Sequence, residues 1–291
     1  MKKLAKQIIS SIARVPPVAK AAYQIHRYSR LKGTYPYYRE LFIQNGQNSR
    51  FDSTTRARLI ERFEAIDNSV RVASTPTDGL VLAEALLSTD APGDIVECGC
   101  FAGASSAKLS MVAKLLGKKL IVFDSFEGLP EGGERAVHAR RKVKEITKGW
   151  PAGDYSVGLE GVRQNIETFG EIAVCSFVQG WFNQTLTEQN LPPTIAAAFV
   201  DVDLHSSARE CLVAIWPRLA NGGIFFSHDV AFITVLQHLY DRELWANELK
   251  DFPPIFFGAG FGVCDLAPHI GYMVKGADVS AEYLKNLTLD K

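Results

Sequence analysis

No stretch of the 291-residue chain stays apolar for the ~18 residues that a spanning helix needs, so no transmembrane segment is expected. There is no C-x-x-C pair, and the five cysteines (98, 100, 175, 211 and 264) are odd in number. Cys98, Cys100, Cys175 and Cys211 fall in apolar or helical stretches, which reads as buried, reduced thiols of a cytoplasmic protein. No third glycine completes a G-x-G-x-x-G fingerprint, which argues against a nicotinamide-dependent oxidoreductase. Net charge is absent too, but unevenly so: residues 1–39 hold nine of the 32 Lys and Arg and none of the 32 Asp and Glu. The aromatic and basic tract Tyr28 to Tyr38 has no RNA- or DNA-binding module beside it, so nucleic acid is not an expected partner. With 47% apolar residues, the chain suits one large domain, or a domain with an extension, around a sizeable core.

One stretch organises the rest: GDIVECGCFAGASSAKLSMVAKLLGKKLIVFDSFEGLP, from Gly93 to Pro130. A short apolar run, Ile95-Val96, stops at Glu97, and Gly99 and Gly103 follow in an E-x-G-x-x-x-G spacing with Ser105 and Ser106 behind them. Leu109, Val112, Ala113 and Leu116 then recur at helical spacing up to Gly117, and Leu120 to Phe123 forms a second apolar run ending at Asp124. Strand, glycine turn, helix, strand and acid make the first unit of a nucleotide-binding doubly wound sheet. Glycines let the backbone approach a ligand, and the helix behind them points free N–H groups into the same space. An acid ending the second strand can accept both hydroxyls of a ribose. Glu97 would repel a pyrophosphate, so it suits a cationic ligand such as the amino-acid end of S-adenosylmethionine. The competing reading is a merely structural turn.

Upstream, residues 1–22 place Leu4, Ile8, Ile9 and Ile12 on one helical face, ended by Pro16-Pro17. A packing arm, such as a homodimer would use, competes with an amphipathic helix on a membrane surface or partner; a signal peptide fits poorly without an uninterrupted apolar core. Ser53 to Ala73, capped by Ser53 or Thr54, and Thr77 to Leu87 read as helices forming an N-terminal cap. The domain expectation is therefore a basic arm over 1–50, a helical cap over 51–90 and a core over 91–291. Residues 131–153 turn polar and basic, as a loop over the site or a solvated charged face.

Downstream, Leu159 to Phe169 reads as a helix. Ala173 to Val178, Ile195 to Val200 and Ile224 to Phe226 read as strands, and Ser206 or Ser207 as the cap of a helix closed by Asn221-Gly222-Gly223. Phe232 to Leu249 reads as one helix, with Ile255 to Phe257 and Tyr272 to Val274 as closing strands. Alternating strands and helices give a mostly parallel α/β sheet, of seven strands on this reading.

Ligands of such sheets bind beyond the carboxyl ends of the strands, which here carry Glu97, Asp124, Trp181, Asp201, Asp203, His228 and Asp229. Asp201, Asp229 and His228 would present two oxygens and one nitrogen around one point, a plausible divalent-metal site. An acid cluster without metal is the plain alternative, helix capping is the rival for Asp203, and His228 could instead be a neutral hydrogen-bonding residue or a general base.

At this point the chain resembles the macrocin O-methyltransferase (TylF-like) family of class I S-adenosylmethionine-dependent enzymes. The resemblance rests on DIVECGCFAGASS, VFDSFEGLP, GDYSVGLEGVRQNIETFG, QGWFNQTL, FVDVDLHSSARECLVAIWPRL and NGGIFFSHDV, between about residues 93 and 230. It implies a Rossmann-like fold with an N-terminal helical extension, and a methyl transfer to a hydroxyl of a sugar, glycan or glycosylated metabolite. It also implies that Glu97, Gly99, Gly103 and Ser105 hold the methionine end of S-adenosylmethionine and Asp124 the ribose, with Ser125, Phe126 and Trp181 near the adenosine. Asp201, His228 and Asp229 would hold magnesium, with Asp203 as candidate base and His138, in the basic loop, as a second. His228 departs from the pattern, since better-known members carry an acid there; it removes a hard oxygen ligand and favours a softer ion such as manganese, or no metal. The alternative from another class is a non-catalytic scaffold docking through its basic N-terminal helix. The expected location is the cytoplasm, with peripheral contact at the inner face of the membrane under the amphipathic-helix reading.

Overall fold

The computed structural model describes residues 35–47, 49–131, 134, 151–259, 262–263 and 269–276. The expectations for residues 1–22, for His138 and most of the basic loop, and for Cys264 lie outside these residues. The chain divides between Arg56 and Ala57. Before the division lie α1 (Tyr35–Gln44) and the start of α2 (Ser53–Ser69). Asp52, not Ser53 or Thr54, takes the cap role of α2: its Oδ1 accepts the Thr55 N–H at 2.7 Å, while Ser53 Oγ donates to the Ile43 carbonyl.

After the division, α3 (Pro76–Leu87) begins with a complete capping box, in which Thr75 and Asp78 exchange side-chain and backbone hydrogen bonds, and with Pro76 in its first turn. β1 (Asp94–Cys98), α4 (Ala104–Leu116) and β2 (Leu120–Asp124) follow as the sequence indicates. α5 (Leu159–Phe169), β3 (Cys175–Gln179), a short α6 (Phe182–Thr185), β4 (Ile195–Val200), α7 (His205–Ile215) and β5 (Leu219–Ser227) continue the alternation. α7 starts without the expected serine cap: Leu204 holds the capping position and offers no side-chain acceptor, and the Glu134 carboxylate accepts the Ser206 N–H instead, at 3.2 and 3.3 Å.

Among the described residues the sheet has six strands, in the order β3-β2-β1-β4-β5-β6, where β6 (Gly271–Val274) runs antiparallel to β5 and all other pairs are parallel. The expected seventh strand, Ile255 to Phe257, reduces to one bridge in which Phe257 and Tyr272 exchange both backbone hydrogen bonds. Pro253-Pro254 cannot donate to a ladder on one side, and Gly258 at φ +91° turns the chain away on the other. The single helix expected from Phe232 to Leu249 is likewise broken. α8 (Ile233–Leu236) passes into a 3₁₀ turn, and α9 (Arg242–Leu244) into a π turn over Trp245–Leu249. Trp245 is held by packing edge-on to Trp216 at 4.9 Å and by donating its Nε1–H to the Leu239 carbonyl.

β4 is buried along its whole length, as a central parallel strand must be. Val96 and Cys98 of β1 join one core cluster with Cys211 and Leu212 of α7. Ile95 and Glu97 therefore point to the opposite face, the one covered by α3 and α4, because side chains alternate along a strand. The strand order reverses between β1 and β4, and a crevice opens at their carboxyl ends. The ladder continues past the strands there: Asp201 N–H donates to the Cys98 carbonyl, Gly99 N–H to Phe123, and His228 N–H to Val200.

Candidate active site

Two glycines shape this crevice for reasons of packing. Gly99 has φ +83°, and a Cβ on it would stand 2.0 Å from the Asp201 carbonyl oxygen. Gly103, at φ +79°, lies against Val162 of α5, whose Cγ1 a Cβ would meet at 2.9 Å. Both positions demand glycine before any ligand is considered.

The crevice holds a cavity of about 260 Å³. Of the residues singled out in the sequence, Gly99, Ser105, Asp124, Ser125, Trp181, Asp201, Asp203, His228 and Asp229 line it. Glu97, Gly103 and Phe126 do not. Glu97 is fully buried, and among the described residues its carboxyl group has no charged partner, only the Ser105 and Ser106 hydroxyls beside it. Burial pushes its pKa up to about 8, with the Ser105 and Ser106 hydroxyls opposing the rise and Asp201 and Asp124 adding to it. Asp124 is oriented by backbone, its Oδ2 accepting from Cys100 N–H and its Oδ1 from Phe126 N–H, each at 2.7 Å. Each oxygen keeps a lone pair for a ligand hydroxyl.

At the other side of the cavity, His228 Nδ1 lies 3.0 Å from Asp201 Oδ1 and 3.4 Å from Asp229 Oδ1. Its Nε2 lies 3.7 Å from Asp78 Oδ2 of the α3 capping box. These are charge contacts without aligned hydrogen bonds. Burial alone would lower the pKa of His228, but Asp201 and Asp229 outweigh it and hold the imidazole well above its ordinary value. Burial raises Asp201, with His228 opposing. Burial, Asp229 and Asp201 push Asp203 up to about 9, while for Asp229 burial is offset by His228, His269 and a hydrogen bond with Asp203 together, which keep it low.

Asp201, His228 and Asp229 each offer one ligand atom, and the three atoms lie within 4.8 Å of one another. Two carboxylate oxygens and one imidazole nitrogen at that spacing fit a divalent cation, provided the imidazole gives up its proton. The cavity fits S-adenosylmethionine in a similar sense. Buried Glu97 stands behind one end, next to the serines that open α4, and Asp124 presents free lone pairs.

Several lining residues carry no signal in the sequence. Phe101 and Tyr155 pack edge to face with ring centroids 5.2 Å apart, and Arg71 lies over the Phe101 ring at 4.8 Å. Phe232 and His269 close the wall, and behind it Asp78, which does not line the cavity, reaches His228 from a helix cap. Six described residues other than glycine have positive φ, and four of them, Phe101, Tyr155, Asp203 and Asp229, line this cavity. Strain of that kind gathers where side chains must be aimed.

Residues 79–248 match the family described as Macrocin-O-methyltransferase (TylF). The chain belongs to this TylF family. The TylF-family chain is 34% identical over 166 residues to the 8-demethyl-8-(2,3-dimethoxy-alpha-L-rhamnosyl)-tetracenomycin-C 4'-O-methyltransferase of Streptomyces olivaceus, covering 54% of this chain and 60% of that one. It is 27% identical over 150 residues to the demethyldecarbamoylnovobiocin O-methyltransferase of Streptomyces niveus, covering 50% and 56%. The match thus spans less than two thirds of either relative. The solved structure of the O-methyltransferase NovP shares the fold, with a TM-score of 0.52 at 18% identity over 77% of this chain and 82% of that one. No helix among the described residues of the TylF-family chain is long and apolar enough to cross a membrane.

Proposed function

We propose that this chain transfers a methyl group from S-adenosylmethionine to a hydroxyl of a sugar carried on a small molecule. One observation carries the reading: the Asp201–His228–Asp229 cluster and the Gly99–Ser105 turn open onto one cavity. The rhamnosyl group in the name of the Streptomyces olivaceus relative supports a sugar as the acceptor. On this reading residues 51–291 make up the methyltransferase domain and 1–50 a separate arm.

S-adenosylmethionine brings an already activated methyl group, so the chain's task is to align the acceptor and remove its proton. Glu97 would meet the ammonium of the methionine end, with Gly99, Gly103 and Ser105 shaping that end. Asp124 would take the ribose hydroxyls, with Ser125, Phe126 and Trp181 around the adenosine. Tyr155, packed against Phe101, offers a sugar ring an aromatic face. A divalent cation held by Asp201, His228 and Asp229 would lower the pKa of the acceptor hydroxyl. Asp203, raised by burial and by its acidic neighbours, carries a proton until positive charge enters the site, and only then can it accept one. His138 is the second candidate base.

A metal-free variant of the mechanism has its own support. A proton on His228, 3.0 Å from Asp201, already supplies one positive charge among the carboxylates.

Isothermal titration with S-adenosylmethionine, with and without magnesium or manganese, tests the reading, followed by turnover with glycosylated acceptors. Micromolar binding is expected, and Asp201→Asn should cut turnover by about 100-fold or more without unfolding the chain. A folded protein that binds no S-adenosylmethionine would move the assignment to the scaffold alternative.

A further inference from the structure

The cavity wall carries four aspartates, Asp124, Asp201, Asp203 and Asp229, and two cationic or protonatable groups stand out against them, His228 and Arg71. His228 lies among three aspartates. Arg71 is different. It lines the cavity and is exposed, and its guanidinium lies over the Phe101 ring, with no acid paired to it among the described residues. An arginine stacked on an aromatic ring keeps its planar fork of donors free at the edge, in a pre-organised position.

What surrounds it fixes the ligand end that it serves. Phe101 follows the Gly99-Cys100 turn, and Ala104 and Ser105 of the α4 amino terminus line the same cavity. The first N–H groups of α4 receive no side-chain cap, because Gly103 holds the capping position. Behind the same turn, Glu97 is buried with only the Ser105 and Ser106 hydroxyls beside its carboxyl group. This end of the site therefore sets a carboxyl group behind the wall and a guanidinium on it, neither with an oppositely charged partner among the described residues, and an α-amino acid presents the matching ammonium and carboxylate.

We infer that Arg71 binds the α-carboxylate of the methionine moiety of S-adenosylmethionine, opposite the ammonium site at Glu97. The inference rests on the methyltransferase reading above, and it adds a residue from outside the strand–turn–helix unit to that site. Phe101 acts as the rest for the guanidinium. Arg71 is a binding residue in this role and takes no part in proton transfer.

The test removes the carboxylate from the ligand and the guanidinium from the protein, separately and together. Titrations compare S-adenosylmethionine with its decarboxylated form, which keeps the ammonium and sulfonium, on the wild-type chain, Arg71→Gln and Arg71→Lys. The wild type should bind the decarboxylated form about 10- to 100-fold more weakly, and Arg71→Gln should lose a similar factor for S-adenosylmethionine. Arg71→Gln should bind both ligands alike, and Arg71→Lys should recover part of the loss. Equal wild-type affinity for the two ligands overturns the inference while leaving the methyltransferase reading intact. So does an Arg71→Gln protein that still discriminates between them. Absence of wild-type binding to either ligand overturns both.

Discussion

Asp78 Oδ2 stands 3.7 Å from Nε2 of His228, so a residue that caps α3 also faces the ring nitrogen that Asp201 does not. Local helix chemistry and the acid–histidine cluster thus share one carboxylate. His228 has acids at both ring nitrogens, and this sets the terms on which a cation can enter.

Replacing His228 by aspartate adds a hard oxygen ligand and a negative charge at that point. His228→Asp should bind magnesium at least about tenfold more tightly than the wild type, whose imidazole favours manganese over magnesium. Titration of each ion into both proteins measures the change. Unaltered magnesium affinity would place the cation elsewhere.

Glu97 gives a pH dependence of stability. Its folded pKa of about 8 lies above the ordinary 4.5, so between those values the folded chain holds a proton that the unfolded chain releases. Its contribution is complete below pH 4.5 and is lost as pH rises towards 8, at up to about 1.4 kcal/mol per pH unit. Chemical denaturation across that window should show a slope in the wild type that is reduced in Glu97→Gln. The variant should also be more stable than the wild type near neutrality, and bind S-adenosylmethionine more weakly.

Gly99→Ala combines a positive φ with a Cβ placed 2.0 Å from the Asp201 carbonyl oxygen. The chain must move β1 and β4 apart or unfold, at a cost of about 2 kcal/mol or more. Thermal melting should register the loss, and any protein that still folds should show reduced turnover because Asp201 is displaced. A variant with wild-type melting and wild-type turnover would contradict the packing described above.

Tyr155→Ala removes one face of the aromatic wall and the edge contact to Phe101. The KM for a sugar acceptor should rise about tenfold with little change in S-adenosylmethionine affinity, since stacked aromatic contacts contribute about 0.5–1.5 kcal/mol each. Steady-state kinetics with each ligand varied in turn separates the two effects. A loss confined to the cofactor would assign Tyr155 to the other end of the cavity.

The parts of the fold legible in the sequence are those written as uninterrupted apolar runs. β4 is Ile195–Val200 as read, because six apolar residues end at an aspartate and a central parallel strand is buried on both faces. The start of α7 is not legible: two adjacent serines suggest a cap, yet the chain reaches His205 through Asp203 at φ +59° and Leu204, and the acceptor for the Ser206 N–H is the distant Glu134. The break in the helix expected over 232–249 was hidden for a different reason. Helical periodicity persists through Trp245, and only tertiary packing on Trp216 shows the 3₁₀ and π turns. The acidic half of the site could be read from strand ends, as Asp201, His228 and Asp229 demonstrate. Arg71, Asp78 and Tyr155 sit on segments whose local pattern gives only helix caps and loops. Arg71 and Tyr155 reach the cavity, and Asp78 reaches His228 behind it, through the packing of the 70–75 segment, α3 and the 151–158 segment, which no spacing encodes.

The close approach of Gly99 to Asp201 has a meaning for how such proteins can be altered. The Asp201 N–H is bonded to the Cys98 carbonyl, and the Asp201 carbonyl fills the space that a Cβ on Gly99 would occupy. The span between the two ends of the crevice is therefore measured in main chain, as on a ruler whose marks no rotamer can shift. Under the proposed methyltransferase reading, a wall residue such as Tyr155 can be exchanged to fit a different acceptor without resetting that ruler, so acceptor preference should be open to redesign while the reach of the methyl group stays constant.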